Sequence, residues 1–338
     1  KRLSPLRKAS KKNALTPQKK QTLKEKKEVI KEANEDDFAY PEEETLNVVF
    51  KPNAGPQTTF LVSPEREVLY GGAAGGGKSY AMLADPLRYM GHSAFSGLLL
   101  RHTTEELREL IQKSQDLYPK IWPGIKWSER RMQWTAPSGA RLWMSYLDRD
   151  EDVLRYQGLA FSWIGFDELT QWATPYAWNY MRSRLRSTAA DLPVYMRATT
   201  NPGGRGHHWV KKMFIDPAPP NSRFDATDID TGDVLRYPNG HAKAGKALFK
   251  RRFIPARLTD NPYLAESGDY ETMLLSLPEQ QRRQLLDGDW DIKEGNWEAE
   301  RVGYYTPYLL IGLSLGLVIM GTVLILAYSG LQCHQTNA

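Results

Sequence analysis

Between residues 48 and 290, short apolar runs alternate with segments whose apolar positions recur at helical spacing. This is the pattern of an α/β domain built on a largely parallel sheet. Glu67-Val68-Leu69-Tyr70 reads as a buried strand, and Lys78 to Tyr89 as the helix that follows it. Gly97 to Leu100 predicts a second strand, with a helix from Thr104 to about Leu117. Trp134 to Ala136 and Arg141 to Tyr146 flank Pro137-Ser138-Gly139, which predicts an antiparallel hairpin. Phe161 to Phe166 and Val194 to Thr199 are two more apolar strands. Asn221 to Ala247, rich in Gly, Pro and Asp, predicts an irregular excursion, and Pro278 to Leu286 a return to helix. No internal repeat is visible.

Both ends break this rhythm. Residues 1–45 run from Lys-rich to Glu- and Asp-rich with few apolar positions, too few to offset the entropy of ordering. They predict a disordered charged arm, with a short exposed helix available over Thr22 to Ala33. A solvated tail and a basic arm that touches DNA are the two readings of it. Residues 308–328 form an uncharged, Leu-rich run of the length that crosses a bilayer, with Gly312 and Gly316 at the spacing that lets membrane helices approach. The expected organisation is therefore an arm (1–45), a globular domain (46–296), a linker (297–307), a transmembrane helix (308–328) and a polar tail (329–338).

Composition changes the picture little. A net charge of +5 over 338 residues barely favours a nucleic-acid partner. The single cysteine, Cys333, excludes an intramolecular disulfide and a Cys-based zinc site. His207 and His208 have no Cys or spaced His partner and are not expected to ligate metal. Trp172, Trp178 and Trp209 read as core packing rather than base-stacking platforms.

The chemistry is carried by loops after strands. Gly72-Ala73-Ala74-Gly75-Gly76-Gly77-Lys78-Ser79 follows the first strand and opens a helix. That context makes it a phosphate-binding loop: glycines let the backbone curl so that several N–H groups face phosphate oxygens. Lys78 is expected to reach the β- and γ-phosphates of ATP, and the Ser79 hydroxyl to ligate Mg²⁺. About ninety residues on, the apolar strand Phe161 to Phe166 ends in Asp167-Glu168. Asp167 is suited to the Mg²⁺ shell and Glu168 to polarising the attacking water. A third strand ends in Thr199-Thr200-Asn201-Pro202-Gly203-Gly204, where Thr and Asn are placed to sense the γ-phosphate. The fold expected is thus a P-loop NTPase of the ASCE type, α/β, with a mainly parallel central sheet flanked by helices.

Taken together and in order, these motifs resemble the ATPase domain of tailed-phage terminase large subunits. The resemblance also rests on Gly55-Pro56-Gln57-Thr58, Arg155-Tyr156-Gln157-Gly158, Pro255-Ala256-Arg257-Leu258, Asp260-Asn261-Pro262-Tyr263-Leu264 and Gly288-Asp289-Trp290-Asp291. It covers about Asn53 to Asn296. It implies an ATP-hydrolysing motor that translocates double-stranded DNA into a procapsid. Such a motor works as a ring homo-oligomer with a portal protein and a small terminase subunit, in the host cytoplasm. By the same resemblance Gln57 contacts adenine, and Thr199, Thr200 and Asn201 couple hydrolysis to DNA movement.

This sequence departs from the family in two places. Ala73 and Ala74 stand where some terminases carry a basic residue, so an arginine finger must come from elsewhere; Arg155 is the candidate, with an ordinary surface arginine as the alternative. After Glu300 there is no Asp or Glu, so the two-metal nuclease that usually follows is not expected. The apolar run in its place leaves open a membrane anchor, a frameshift and a fusion. Arg182, Arg184, Arg186, Arg205, Lys211 and Lys212 are candidates for DNA phosphate contacts or an ordinary charged face. The rival functions are a helicase-like DNA translocase and a membrane-anchored nucleotide-binding module without motor activity.

Overall fold

The computed structural model describes residues 48–292. The charged arm, the linker, the apolar run 308–328 with its membrane association, and the polar tail all lie outside the described residues. Chain contacts separate Lys1–Val48 from Val49–Ala338, and the architecture below belongs to the second unit. Among the described residues no helix is long and apolar enough to cross a membrane.

One nine-stranded sheet organises the domain, with strand order β3-β4-β5-β2-β6-β7-β1-β9-β8. The strands are β1 (Glu67–Gly72), β2 (Ser96–Arg101), β3 (Lys126–Ser128), β4 (Gln133–Thr135), β5 (Arg141–Tyr146), β6 (Trp163–Asp167), β7 (Tyr195–Thr200), β8 (Arg223–Asp225) and β9 (Lys250–Ala256). The six from β5 to β9 in spatial order, β5-β2-β6-β7-β1-β9, are mutually parallel. Antiparallel β3-β4 and β8 finish the two edges. β7 lies between the strand feeding the phosphate loop and the strand ending in the acid pair. That insertion is the arrangement expected of the ASCE type.

The sheet is buried on both faces, so successive residues of one strand enter opposite cores. Val68 and Tyr70 pack with Met82, Leu99, Leu110, Tyr118 and Trp163 on one face. Leu69, Leu98, Leu100, Ile164 and Phe166 pack on the other with Trp172, Trp178, Trp209 and Phe214. Helix α1 (Pro56–Val62) and α2 (Lys78–Ala84) cover the first face, with α3 (Thr104–Ile121). Thr103 caps α3 by accepting the Glu106 N–H at 3.3 Å, and Leu107, Leu110, Ser114, Leu117 and Tyr118 form its buried stripe.

Some elements differ from the expectation. The helix read as Lys78 to Tyr89 stops at Ala84 and tightens to a 3₁₀ turn, Asp85–Tyr89, because Pro86 supplies no N–H. The helix expected over Pro278 to Leu286 is a single α-turn, Glu279–Arg282, followed by a π-type turn, Arg283–Asp287. Within the excursion, β8 and two isolated bridges, Thr227 to Val234 and Arg236 to Ala247, impose more order than its composition suggests. The interior strand β9, one in from the edge, has no counterpart among the expected strands. Lys250, Arg251 and Arg252 disguise it, yet Arg251 is 1% exposed and pairs at 2.8 Å with Glu67, its register partner on β1.

Candidate active site

Because the central strands are parallel, the loops leaving β1, β6, β7 and β9 gather along one edge of the sheet. There they enclose a cavity of about 350 Å³ lined by Ala74 to Tyr80, Glu109, Lys113, Glu168, Asn201, Asn261, Leu264 and Tyr270.

The loop after β1 is held from outside by its carbonyl oxygens. Tyr70 Oη donates to Gly76 O at 2.6 Å, Asn261 Nδ2 to Gly75 O at 2.7 Å, and Gln57 Nε2 to Gly77 O at 2.8 Å. Ala73 N–H donates to Ala256 O on β9 at 2.8 Å and Ala74 N–H to Leu285 O at 2.6 Å. The N–H groups of Gly75, Gly77, Lys78 and Ser79 find no acceptor among the described residues. Converging unmatched donors around a cavity make an anion nest, because a phosphate oxygen would satisfy several at once. Gly75 and Gly77 have φ of +78° and +79°, the left-handed backbone that this curl needs.

Lys78 Nζ donates to Ala73 O at 2.6 Å, inside its own loop. Burial draws the Lys78 ammonium below its usual range, against the pull of Glu168 and Asp167. Its charge is therefore poorly satisfied until an anion arrives.

Asp167 ends β6 at 1% exposure. The Thr199 hydroxyl from neighbouring β7 donates to its Oδ1. Its Oδ2 lies 2.8 Å from Arg101 Nε, but without the alignment of a hydrogen bond. Glu168, one residue on, takes left-handed φ and ψ of 59° and 56°, a conformation that costs a non-glycine residue energy and aims its side chain into the cavity. Burial first, then the Asp167 charge, raises the Glu168 pKa; Lys78, Arg101 and the Asn201 backbone amide oppose the shift. A carboxyl tuned upward beside an anion nest is suited to accept a proton from water.

The structure distributes the expected site residues unevenly. Ala74, Gly75, Gly76, Gly77, Lys78, Ser79, Glu168 and Asn201 line one cavity. Gly72 and Ala73 lie beneath it as the buried start of the loop. Thr199 and Thr200 are fully buried, one hydroxyl on Asp167 and the other 2.7 Å from Thr170 Oγ1, so Thr199 braces Asp167 and Thr200 the turn after Glu168, and neither lines the cavity. Gln57 is 3% exposed, and its amide is spent on Gly77 O and on the Asn53 N–H at 2.6 Å. Here it is a strut for the loop. Arg155 follows β5 along the same sheet edge but does not line this chain's cavity. It is half-exposed, 2.9 Å from Asp152 and stacked over Tyr146.

Among the candidate phosphate contacts, Arg182 pairs with Glu67, Arg186 donates to Gly158 O at 3.0 Å, and Lys211 pairs with Asp216 at 2.7 Å. His207 Nδ1 accepts the Gly203 N–H at 2.8 Å, and its ring stacks on Trp290. Sequence reasoning missed Arg101, which sits directly after an apolar strand, the position at which parallel sheets present functional groups. It also gave no role to Glu109, Lys113 and Tyr270, whose place on the cavity wall depends on how α3 and the segment after β9 fold back.

A family model described as "Terminase large subunit, T4likevirus-type, N-terminal" matches residues 69–298. Among solved structures, the large terminase of a thermophilic bacteriophage in complex with ADP aligns with a TM-score of 0.51 and 15% identity, over 71% of this chain and 54% of that one. A second crystal form of the same protein aligns with a TM-score of 0.52 and 16% identity, over 72% and 55%. This chain thus spans about half the length of those terminases. The large terminase ATPase domain of Thermus phage P74-26 aligns with a TM-score of 0.45 and 13% identity, over 71% and 94%. No curated protein matches by sequence.

Proposed function

The chain belongs to the terminase large subunit family, matching its T4-like-virus-type N-terminal part, and from this premise we propose that it is the Mg²⁺-dependent ATPase of a viral DNA-packaging motor, acting on double-stranded DNA. The observation that carries the reading is the convergence on one cavity of an unmatched N–H nest and the Glu168 carboxyl. The nest would hold the polyphosphate, and Lys78 would leave Ala73 O for the β- and γ-phosphates. Ser79 and Asp167 are hard oxygen donors that fit Mg²⁺, and Asp167 Oδ2 is a buried oxygen without a hydrogen bond. A bound Mg²⁺ would neutralise charge on the transferred phosphoryl group. Glu168 would take the proton of the attacking water. Asn201, on the cavity wall and beside Glu168, is placed to register loss of the γ-phosphate and pass it to the loop through Gly206, which hydrogen-bonds Thr170. A portal protein and a small subunit would complete the machine at the procapsid in the host cytoplasm. The bound ADP of the thermophilic-phage terminase is consistent with the nucleotide assignment.

Steady-state ATP turnover of the whole chain, with and without duplex DNA, tests this reading. Turnover stimulated by duplex without unwinding of a forked substrate is expected; strand separation would favour a helicase, and no turnover in either condition would sink the proposal. Lys78→Ala should abolish detectable nucleotide binding, measured with a fluorescent ATP analogue, because it removes the charge facing the nest. Binding at the unchanged affinity would contradict the role given to Lys78.

Arg155, which follows β5 and lies outside its own chain's cavity, would serve a neighbouring subunit. Arg155→Ala should slow turnover of assembled rings by about 10³-fold or more, as removal of an arginine finger does, with single-subunit nucleotide binding preserved. Mixing these subunits with Glu168→Gln subunits should restore activity, since each supplies what the other lacks. Full activity of Arg155→Ala rings would end the assignment.

A further inference from the structure

Arg101 is the cation that the motif reading leaves without a task. It ends β2, next to β6 in the sheet, so that its guanidinium and the Asp167 carboxylate meet where the two strands stop. Arg101 is 9% exposed and its Nε is 2.8 Å from Asp167 Oδ2. A second carboxylate waits on the other side. Glu106, in the first turn of α3, has its Oε2 3.9 Å from Arg101 Nη1, and that oxygen is buried with no hydrogen bond. Three groups that normally find partners, Arg101 Nε, Asp167 Oδ2 and Glu106 Oε2, are thus all buried and unaligned within one short path. Such a half-made set offers the guanidinium a carboxylate on either side.

Resting on the reading that Asp167 takes Mg²⁺ with nucleotide, we infer that Arg101 is a positioning residue that exchanges carboxylates. It neutralises Asp167 when metal is absent and moves to Glu106 when the Mg²⁺–nucleotide complex enters. Charge favours the exchange: an arginine and a divalent cation on one buried carboxylate repel each other more strongly at low effective dielectric than in water. Glu106 is the available destination, and it belongs to the helix whose Glu109 and Lys113 line the cavity. Metal loading would therefore be read by α3 through a change of ion-pair partner.

The test measures Mn²⁺ binding by electron paramagnetic resonance, on the whole chain with a non-hydrolysable ATP analogue, with analogue binding in EDTA as the control. Arg101→Gln removes the competing cation and should tighten Mn²⁺ roughly tenfold, within the usual span of coupled sites. Glu106→Gln removes the destination, leaves Arg101 on Asp167, and should weaken Mn²⁺ by about the same factor. Arg101→Lys keeps the charge and should stay near the unsubstituted protein. A merely structural role would shift both Gln variants the same way. Shifts of like sign, or none, overturn the exchange; if Arg101→Gln fails to fold, an unchanged Mn²⁺ affinity in Glu106→Gln overturns it alone. An unsubstituted chain that binds neither the analogue nor Mn²⁺ would instead overturn the ATPase reading beneath it.

Discussion

Glu168→Gln should leave ATP binding close to that of the unsubstituted protein and lower turnover by about 10²- to 10⁴-fold, the range that a positioned general base supplies. The amide keeps the shape of the side chain at a position where backbone φ is already left-handed, so nothing needs to move. It cannot accept the proton of the attacking water. The same substitution carries a stability signature that separates tuning from mere proximity. Burial and the Asp167 charge raise the Glu168 pKa in the folded chain. A carboxyl so raised favours folding below its unfolded pKa and loses that contribution as pH rises through the folded value. At pH near 7 the ionised group therefore costs stability, and Gln relieves the cost. The melting temperature of Glu168→Gln should rise at neutral pH and change little near pH 4. Turnover of the unsubstituted enzyme should fall as acid protonates the base. Near-normal turnover in Glu168→Gln would remove it as the base, and an unchanged melting temperature at pH 7 would remove the tuning argument.

Glu67→Gln should produce the largest loss of stability outside the site, about 3 to 5 kcal/mol, the scale of breaking a buried ion pair from one side. Glu67 opens β1 with no exposure, and its two oxygens take Arg182 and Arg251 separately. Arg251 is itself 1% exposed on β9, so the neutral amide would strand a buried guanidinium between two adjacent parallel strands. Burial alone would raise the Glu67 pKa, but Arg251 and then Arg182 outweigh it and hold it below the usual carboxylate range. The sign follows from that. With a lowered folded pKa, the contribution is present above the unfolded value and is lost as pH falls through the folded one. Urea denaturation at pH 7 and at about pH 4 checks both parts: the difference between Glu67→Gln and the unsubstituted protein should be large at neutral pH and shrink in acid. A neutral-pH difference under about 1 kcal/mol would mean that the pair contributes little beyond its own desolvation.

Much of this site was legible because its chemistry is written in contiguous segments. Gly72 to Ser79 needs only its own glycines and the strand before it. Asp167 and Glu168 are marked by the apolar run that ends on them. The parallel sheet was legible from apolar strands alternating with helices, since a strand buried on both faces has few polar positions to blur it. What escaped notice is polar and non-local. β9 carries three successive cations, and nothing near it in sequence announces that Glu67, 184 residues away, neutralises the central one. Arg101 likewise reads as an arginine after a strand until β2 and β6 are neighbours.

The sequence alone determined the fold class, the phosphate loop, the acid pair and the segment ending in Asn201. Each depends on local backbone propensity, a short spacing or an apolar period that the chain carries regardless of its surroundings. The tertiary structure decided which members of those motifs face the cavity. Strand order puts β7 between β1 and β6, which turns the Thr199 hydroxyl onto Asp167 and leaves Asn201 at the opening. Packing of α1 against the loop turns Gln57 into a strut. Burial, which no single segment contains, sets the charge balance among Lys78, Glu168 and Glu67, because desolvation and the nearest opposite charge arise only when distant strands close on one another.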